Sequence, residues 1–175
     1  MYRYFYRWVF ISFLFIGCSV KPYIPPQDKI DKLSLLLQSL DKDISQKQSK
    51  KLSKDIFQKT AQLTKAFKLT SPPLWHNTLV GVGLKKKGLC YHWSDALYSY
   101  LLSKNYTSFE FHLVGANIGK YFSEHNALVV VSKKCSIKEG IIVDPWRNSG
   151  KLYFSKVNKD KKYQWKHRID RGCPL

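Results

Sequence analysis

A thiol, an imidazole and a carboxylate stand in this chain in settings that suit nucleophilic catalysis. Cys90 follows Gly88-Leu89 at the opening of an apolar-periodic run, His125 opens "HNALVVVS", and Asp144 closes "GIIVD" before Pro145. Thiol catalysis needs these three groups: a thiolate to attack a carbonyl, an imidazole to shuttle the proton, and a carboxylate to fix the ring. A helix N-terminus stabilises a thiolate through its free N–H groups and dipole, and the run after Cys90 predicts such a helix. Gly88 is expected to leave room for substrate to approach, and Lys85 to Lys87 to add positive field.

Other residues compete for, or complete, this set. His92 lies two residues beyond Cys90, about 200° around a helix, and so faces away. His112 sits on an alternating run and is a supporting candidate, but no carboxylate motif follows it. Asp144 accepts the His125 N–H if their strands are antiparallel neighbours, because the end of one then lies near the start of the other. An oxyanion hole needs a second donor beside the Cys90 N–H; Asn77 and Trp75 in "PPLWHNTLV" are the candidates, and the compact amide of Asn77 is preferred. The structural alternatives stay open: Cys90 as core, His125 as a strand residue, Asp144 as a turn-forming Asp-Pro. Trp93, Tyr98, Trp146 and Trp165 read as core and pocket walls. A zinc site on Cys90 and His92 lacks a second close Cys/His pair. No phosphate loop, dinucleotide glycine pattern or EF-hand loop is present, and no metal or cofactor is expected.

The elements that must position these groups follow from periodicity. Ile30, Leu33, Leu36, Leu37 and Leu40 recur at helical spacing over Asp28 to about Leu40. Leu52, Ile56, Leu63 and Phe67 form one stripe over roughly Ser45 to Leu69. The two runs predict a helical hairpin turning at Asp41 to Asp43. Pro72-Pro73 stops the second helix, and residues 70–88 are expected to be irregular. Cys90, Ser94, Leu97 and Leu101 then predict a helix to about Ser103. The period changes to two in "SFEFHLVG"; "HNALVVVS", "GIIVDPW", "GKLYFSKV" and "KYQWKH" follow as strands of an antiparallel meander. The fold class is α+β: a helical hairpin, then a cysteine-bearing helix packed on an antiparallel sheet.

The 175 residues suffice for one domain with a real core, and 44% hydrophobic content excludes disorder. The net charge of +18 favours anionic surfaces such as acidic lipid or wall polymers. The lysines are scattered and lack an aromatic stacking motif, so no nucleic acid partner is expected. At the N-terminus, Arg3 and Arg7 precede an apolar run from Trp8 to Gly17 that is too short to span a bilayer and suits a signal-peptide core. Leu14-Phe15-Ile16-Gly17-Cys18 resembles a bacterial lipobox, with Phe15 in place of the usual leucine. That resemblance implies cleavage after residue 17, lipidation of Cys18, and an exported protein anchored to a membrane of the bacterial cell envelope. An ordinary signal peptide or an uncleaved anchor is the alternative. Prolines 22, 25 and 26 then make residues 18–26 an extended tether, and 27–175 one domain, with the hairpin in 27–69 and the chemistry in 70–175. Cys135 and Cys173 are a candidate disulfide pair in such a compartment, which leaves Cys90 unpaired.

"GLCYHWSDALYSYLL", "HNALVVV" and "IIVDPWR" together resemble the transglutaminase-like branch of the papain-like cysteine hydrolases. The likeness covers about Trp75 to Arg147, in the chain order Cys, His, Asp. It implies Cys90 as nucleophile, His125 as general base and acid, and Asp144 as the ring-orienting group. The activity implied is that of a thiol hydrolase or acyltransferase acting on amide bonds through a thioester, with a peptide or protein substrate such as a cell-wall peptide. The chain departs from the pattern in His125-Asn126-Ala127, where the family often carries an aromatic after a histidine-alanine pair, and in the helical hairpin. A non-catalytic module of the same fold, binding a wall peptide or partner protein in the cleft, is the competing expectation.

Overall fold

A computed structural model describes residues 18–133 and 135–169; the predicted signal segment, residues 1–17, and Cys173 lie outside them. Helix α1 (Gln27–Gln38) and helix α2 (Gln46–Ala66) form the expected hairpin. Ser45 starts α2 through a capping box: its hydroxyl accepts from the Gln48 N–H while the Gln48 side chain accepts from the Ser45 N–H. Leu33, Leu37, Leu52 and Ile56 are fully buried between the hairpin and the rest of the domain.

The residues read as a tether begin by pairing with the domain. Strand β1 (Cys18–Ser19) runs antiparallel to β2 (Thr70–Ser71), Val20 N–H donates to the Leu69 carbonyl, and Val20 and Tyr23 pack on the main core. The segment after β2, expected to be irregular, instead forms helix α3 (Pro73–Gly81). Two prolines end a preceding helix but also suit the start of a new one. Pro72 occupies the N-cap and Pro73 the first helical position, where a missing N–H costs nothing.

Helix α4 (Cys90–Leu102) follows, then β3 (Phe109–Ala116), β4 (His125–Ser132), β5 (Ile141–Asp144), β6 (Tyr153–Lys156) and β7 (Lys166–His167). The five-stranded antiparallel sheet has the order β6-β5-β4-β3-β7. Strands β3 to β6 are the expected meander. The last strand is not its continuation: it returns across to pair with β3 at the opposite edge. That return covers the second face of the sheet. Phe111, Leu113, Leu128 and Val130 face the helices, whereas Val114, Ala127, Val129 and Val131 face Val157 and Trp165 of the returning segment. Strand β4 is therefore buried along its whole length, as its unbroken apolar run requires. Among the described residues no helix is long and apolar enough to cross a membrane.

Candidate active site

Three side chains hold the turn that delivers Cys90. His76, fully buried on α3, lies between Thr70 and this turn. Its Nδ1 accepts from the Thr70 backbone N–H at 3.1 Å, so its Nε2 carries the proton and donates to the Lys87 carbonyl at 2.9 Å. Burial lowers the His76 pKa, in keeping with this neutral tautomer. His92 is engaged by the turn itself. Its Nδ1 accepts from the N–H groups of Gly88 and Leu89, each at 3.2 Å, which caps α4. The Trp93 indole donates to the Gly88 carbonyl at 3.1 Å. Cys90 thus starts α4 with its own N–H in the first turn, where helical amides lack partners.

Gly88 serves packing rather than substrate entry. It is buried at φ +126°, and a Cβ there would fall 2.1 Å from His76 Nε2. The ring cannot yield without losing its bonds to Thr70 or Lys87. Gly88→Ala is expected to destabilise the fold by about 1–3 kcal/mol and to slow alkylation of Cys90. Urea unfolding together with iodoacetamide kinetics checks both effects.

The strand register brings the other two groups into place. Leu128 lies opposite Val143, so Asp144 projects from the same sheet face as His125, one diagonal step away. His125 Nε2 donates to Asp144 Oδ2 at 2.7 Å, with both side chains buried. The ring is boxed by Trp146 and Tyr163, each with its centroid 4.7 Å away, and by Trp165 at 5.5 Å. With Nε2 committed, Nδ1 is the atom left to serve Cys90. It is buried without a hydrogen-bond partner, and Cys90 lines the same crevice as the ring. Catalytic hydrogen bonds are often loose in unliganded enzymes and tighten with substrate.

The electrostatics of the pair run in opposite directions. Burial works to lower the His125 pKa, but the Asp144 and Cys90 hydrogen bonds and charges outweigh it and raise the pKa to about 9. Burial pushes the Cys90 thiol up; hydrogen bonds and charge from His125, with help from Asn126, overcome that and bring it below the ordinary thiol value. Both shifts favour a thiolate–imidazolium pair. Asn126, whose Nδ2 donates to the Cys90 sulfur at 3.7 Å, stands where the sequence departs from the family pattern; its strand neighbour Leu128 faces the helix, and the same periodicity was the available signal for its role.

A longer chain of contacts lies behind Asp144. Arg147 donates through Nε to Asp144 Oδ2 at 3.0 Å and through its backbone N–H to Oδ1 at 3.2 Å. The other guanidinium nitrogens clasp both Asp160 oxygens, at 3.2 and 2.7 Å, and Asp160 also accepts from the Trp165 indole. Neither Arg147 nor Asp160 was singled out by the sequence. Asp-Pro-Trp-Arg placed the arginine one turn from Asp144, but nothing local marked Asp160.

The remaining expected residues divide. Cys90, His125 and Asn77 line one open crevice of about 470 Å³. Asn77 Oδ1 accepts from the Trp146 indole at 3.1 Å, which leaves its NH₂ as the donor. Trp75 does not line the crevice; two residues from Asn77 on α3, it turns about 200° away. His112 is not at the site. The strand register places Ala116 opposite His125, and His112 lies four residues, about 13 Å, back along β3. There it meets His167 of β7 at 3.2 Å. Cys135 receives a hydrogen bond from Ser132, and its suggested partner Cys173 is outside the described residues. Among the described residues no group of three or more His, Cys, Asp or Glu side chains is placed to hold a metal ion.

The chain matches no protein-family model, no curated protein and no solved structure.

Proposed function

We propose that this chain is an envelope-associated thiol hydrolase or acyltransferase of transglutaminase-like fold, acting on amide bonds. The observation that carries the proposal is the crevice that Cys90 and His125 line together, with the His125 ring fixed from behind by the buried Asp144 carboxylate. A structural cysteine needs neither a lowered pKa nor an imidazole fixed by a second buried acid.

The steps follow from the positions. The Cys90 thiolate adds to an amide carbonyl at the crevice floor. The oxyanion is met by the Cys90 N–H and, from α3, by the Asn77 amide. His125, protonated at Nδ1, gives that proton to the departing amine, and the thioester remains on Cys90. A water, or a second amine in a transferase, is deprotonated by the same Nδ1 and releases the acyl group. Asp144 holds the ring through Nε2 and stabilises its charge. The signal peptide and Cys18 lipid anchor are part of the same proposal and put the crevice at the cell envelope, facing the periplasm in a two-membrane cell.

The test is covalent capture. A peptide vinyl sulfone should modify the membrane-attached protein at Cys90 alone, and Cys90→Ser should lose the label. Modification of Cys135 at an equal rate would remove the case for an activated nucleophile. Asn77→Ala is expected to lower amide turnover by about 10²- to 10³-fold, the usual cost of one oxyanion donor, with the rate of Cys90 alkylation unchanged. An unchanged turnover would assign Asn77 to holding Trp146 only.

A further inference from the structure

The crevice mouth carries apolar side chains that fold stability does not explain. Leu74, Tyr121 and Phe122 line it and are 66%, 91% and 96% exposed. The two aromatic rings sit edge to face, 5.0 Å apart, at the tip of the β3–β4 connection. That connection is tied at its base. Lys120 N–H donates to the Asn117 carbonyl, Gly119 N–H to Glu124, and Arg168 clasps the other Glu124 oxygen at 2.6 Å. The rings are thus held outward by a hydrogen-bonded frame. Adjacent bulky aromatics in that state mark a surface made to be covered.

The chain's own course indicates what covers it. Strand β1 is antiparallel to β2, with Cys18 opposite Ser71 and Ser19 opposite Thr70. The end of β1 that joins the apolar segment Trp8 to Gly17 therefore lies at the end of β2 that leads into Pro72 and Pro73, themselves part of the crevice wall. Membrane attachment at this point, through a lipid on Cys18 or through the apolar segment itself, holds the crevice side of the domain nearest the bilayer. Charge agrees with the placement: Lys162 lines the same mouth, exposed Lys120 precedes the aromatic pair, and the chain carries +18 overall. Aromatic tips flanked by lysine suit the headgroup level of an anionic leaflet.

We propose that the mouth of the Cys90 crevice lies against an anionic phospholipid bilayer, with Leu74, Tyr121 and Phe122 in contact with lipid, and that its substrate is a peptide or protein itself anchored in that membrane. The substrate class rests on the thiol-hydrolase reading, and the orientation rests only on the membrane attachment beside Cys18 proposed with it. A mouth turned to the bilayer admits amides carried at the membrane surface and disfavours those arriving from bulk solution.

The full chain, expressed in membranes or reconstituted in vesicles of phosphatidylethanolamine and phosphatidylglycerol, tests the orientation. A benzophenone amino acid replaces Phe122 in one sample and Leu102 in another; Leu102 is exposed at the far end of α4, about 18 Å from Cys90 along the helix. Irradiation should give lipid adducts at position 122 about tenfold more often than at 102. Equal yields, or adducts at 122 to a bound peptide only, overturn the orientation. The substrate class is tested by turnover of an acyl-chain-bearing peptide amide in those vesicles against the same peptide without the chain. About a tenfold preference for the anchored form supports the class, and equal rates overturn it. Vinyl sulfone labelling of Cys90, run in parallel, separates the failures. Labelling without lipid adducts rejects the orientation alone, and lipid adducts without labelling reject the catalytic reading and the substrate class with it.

Discussion

His125→Ala is expected to lower amide turnover by about 10⁴-fold or more and to move the pH at which Cys90 becomes reactive upward. Cys90 is half-buried, and burial alone pushes a thiol toward the protonated form. His125 supplies the main opposing influence, so without it only the Asn126 contacts remain. In the native protein the thiolate is lost as pH falls through the depressed Cys90 value. The imidazolium is lost as pH rises through about 9. Turnover needs both charges and should fall on each side; the two limits belong to the pair jointly. Alkylation needs only the thiolate and should show the acid limb alone. Iodoacetamide rates against pH for the native chain and His125→Ala measure this directly. An unshifted acid limb in the variant would mean that the imidazole does not activate the sulfur. The variant should stay folded, because Arg147 still pairs with Asp144 and the hairpin core is untouched.

The sequence made Cys90, His125 and Asp144 legible as a candidate set because each stands at an element end marked by a change of periodicity. Cys90 starts an apolar stripe with a period near 3.6, and His125 and Asp144 bound strands. The helical hairpin was legible for the same reason, down to its Ser45 start. Helix α3 was not. Pro72-Pro73 carries the same local signal whether it ends one helix or opens the next, and Leu74 of α3 and Val82 at its C-terminal cap remain exposed and form no buried stripe. The role of His76 was hidden with it, since its partners Thr70 and Lys87 meet it only once α3 exists. Strand β4 was read only as one strand of the meander, and nothing in "HNALVVVS" says which segment covers its second face. That depends on Trp165 and β7 returning to β3, a pairing of Val114 with His167 across more than fifty residues. Asp160 was illegible for the same physical reason: a carboxylate in a polar turn becomes structural only when a distant guanidinium reaches it.

That guanidinium carries the largest expected effect on stability. Arg147→Met should destabilise the domain by about 3–5 kcal/mol, the usual cost of stranding a buried charge by deleting its partner. Both carboxylates it serves have side chains only 1% exposed. The double variant Arg147→Met/Asp160→Leu should recover part of that loss, because one stranded charge goes with its partner; Asp144 keeps the imidazolium of His125. Denaturant midpoints of the two single variants and the double give the coupling, and additive losses would show that the clasp is not a buried pair. Acid dependence follows with a definite sign. Burial raises the Asp160 pKa, but Arg147 and Trp165 outweigh it and hold the value below normal. The clasp therefore stabilises the fold at pH values above the ordinary carboxylate range and loses that contribution as pH falls through the depressed value. Asp160→Asn should flatten this acid limb of stability. The arginine also bears on the chemistry. It shares Asp144 Oδ2 with His125, so its positive charge opposes the imidazolium that Asp144 stabilises. Removing it should let His125 hold its proton to higher pH and carry the alkaline limb of turnover upward. A guanidinium that only braced the turn would leave that limb where it is, so the pH profile of Arg147→Met separates scaffold from positioning residue.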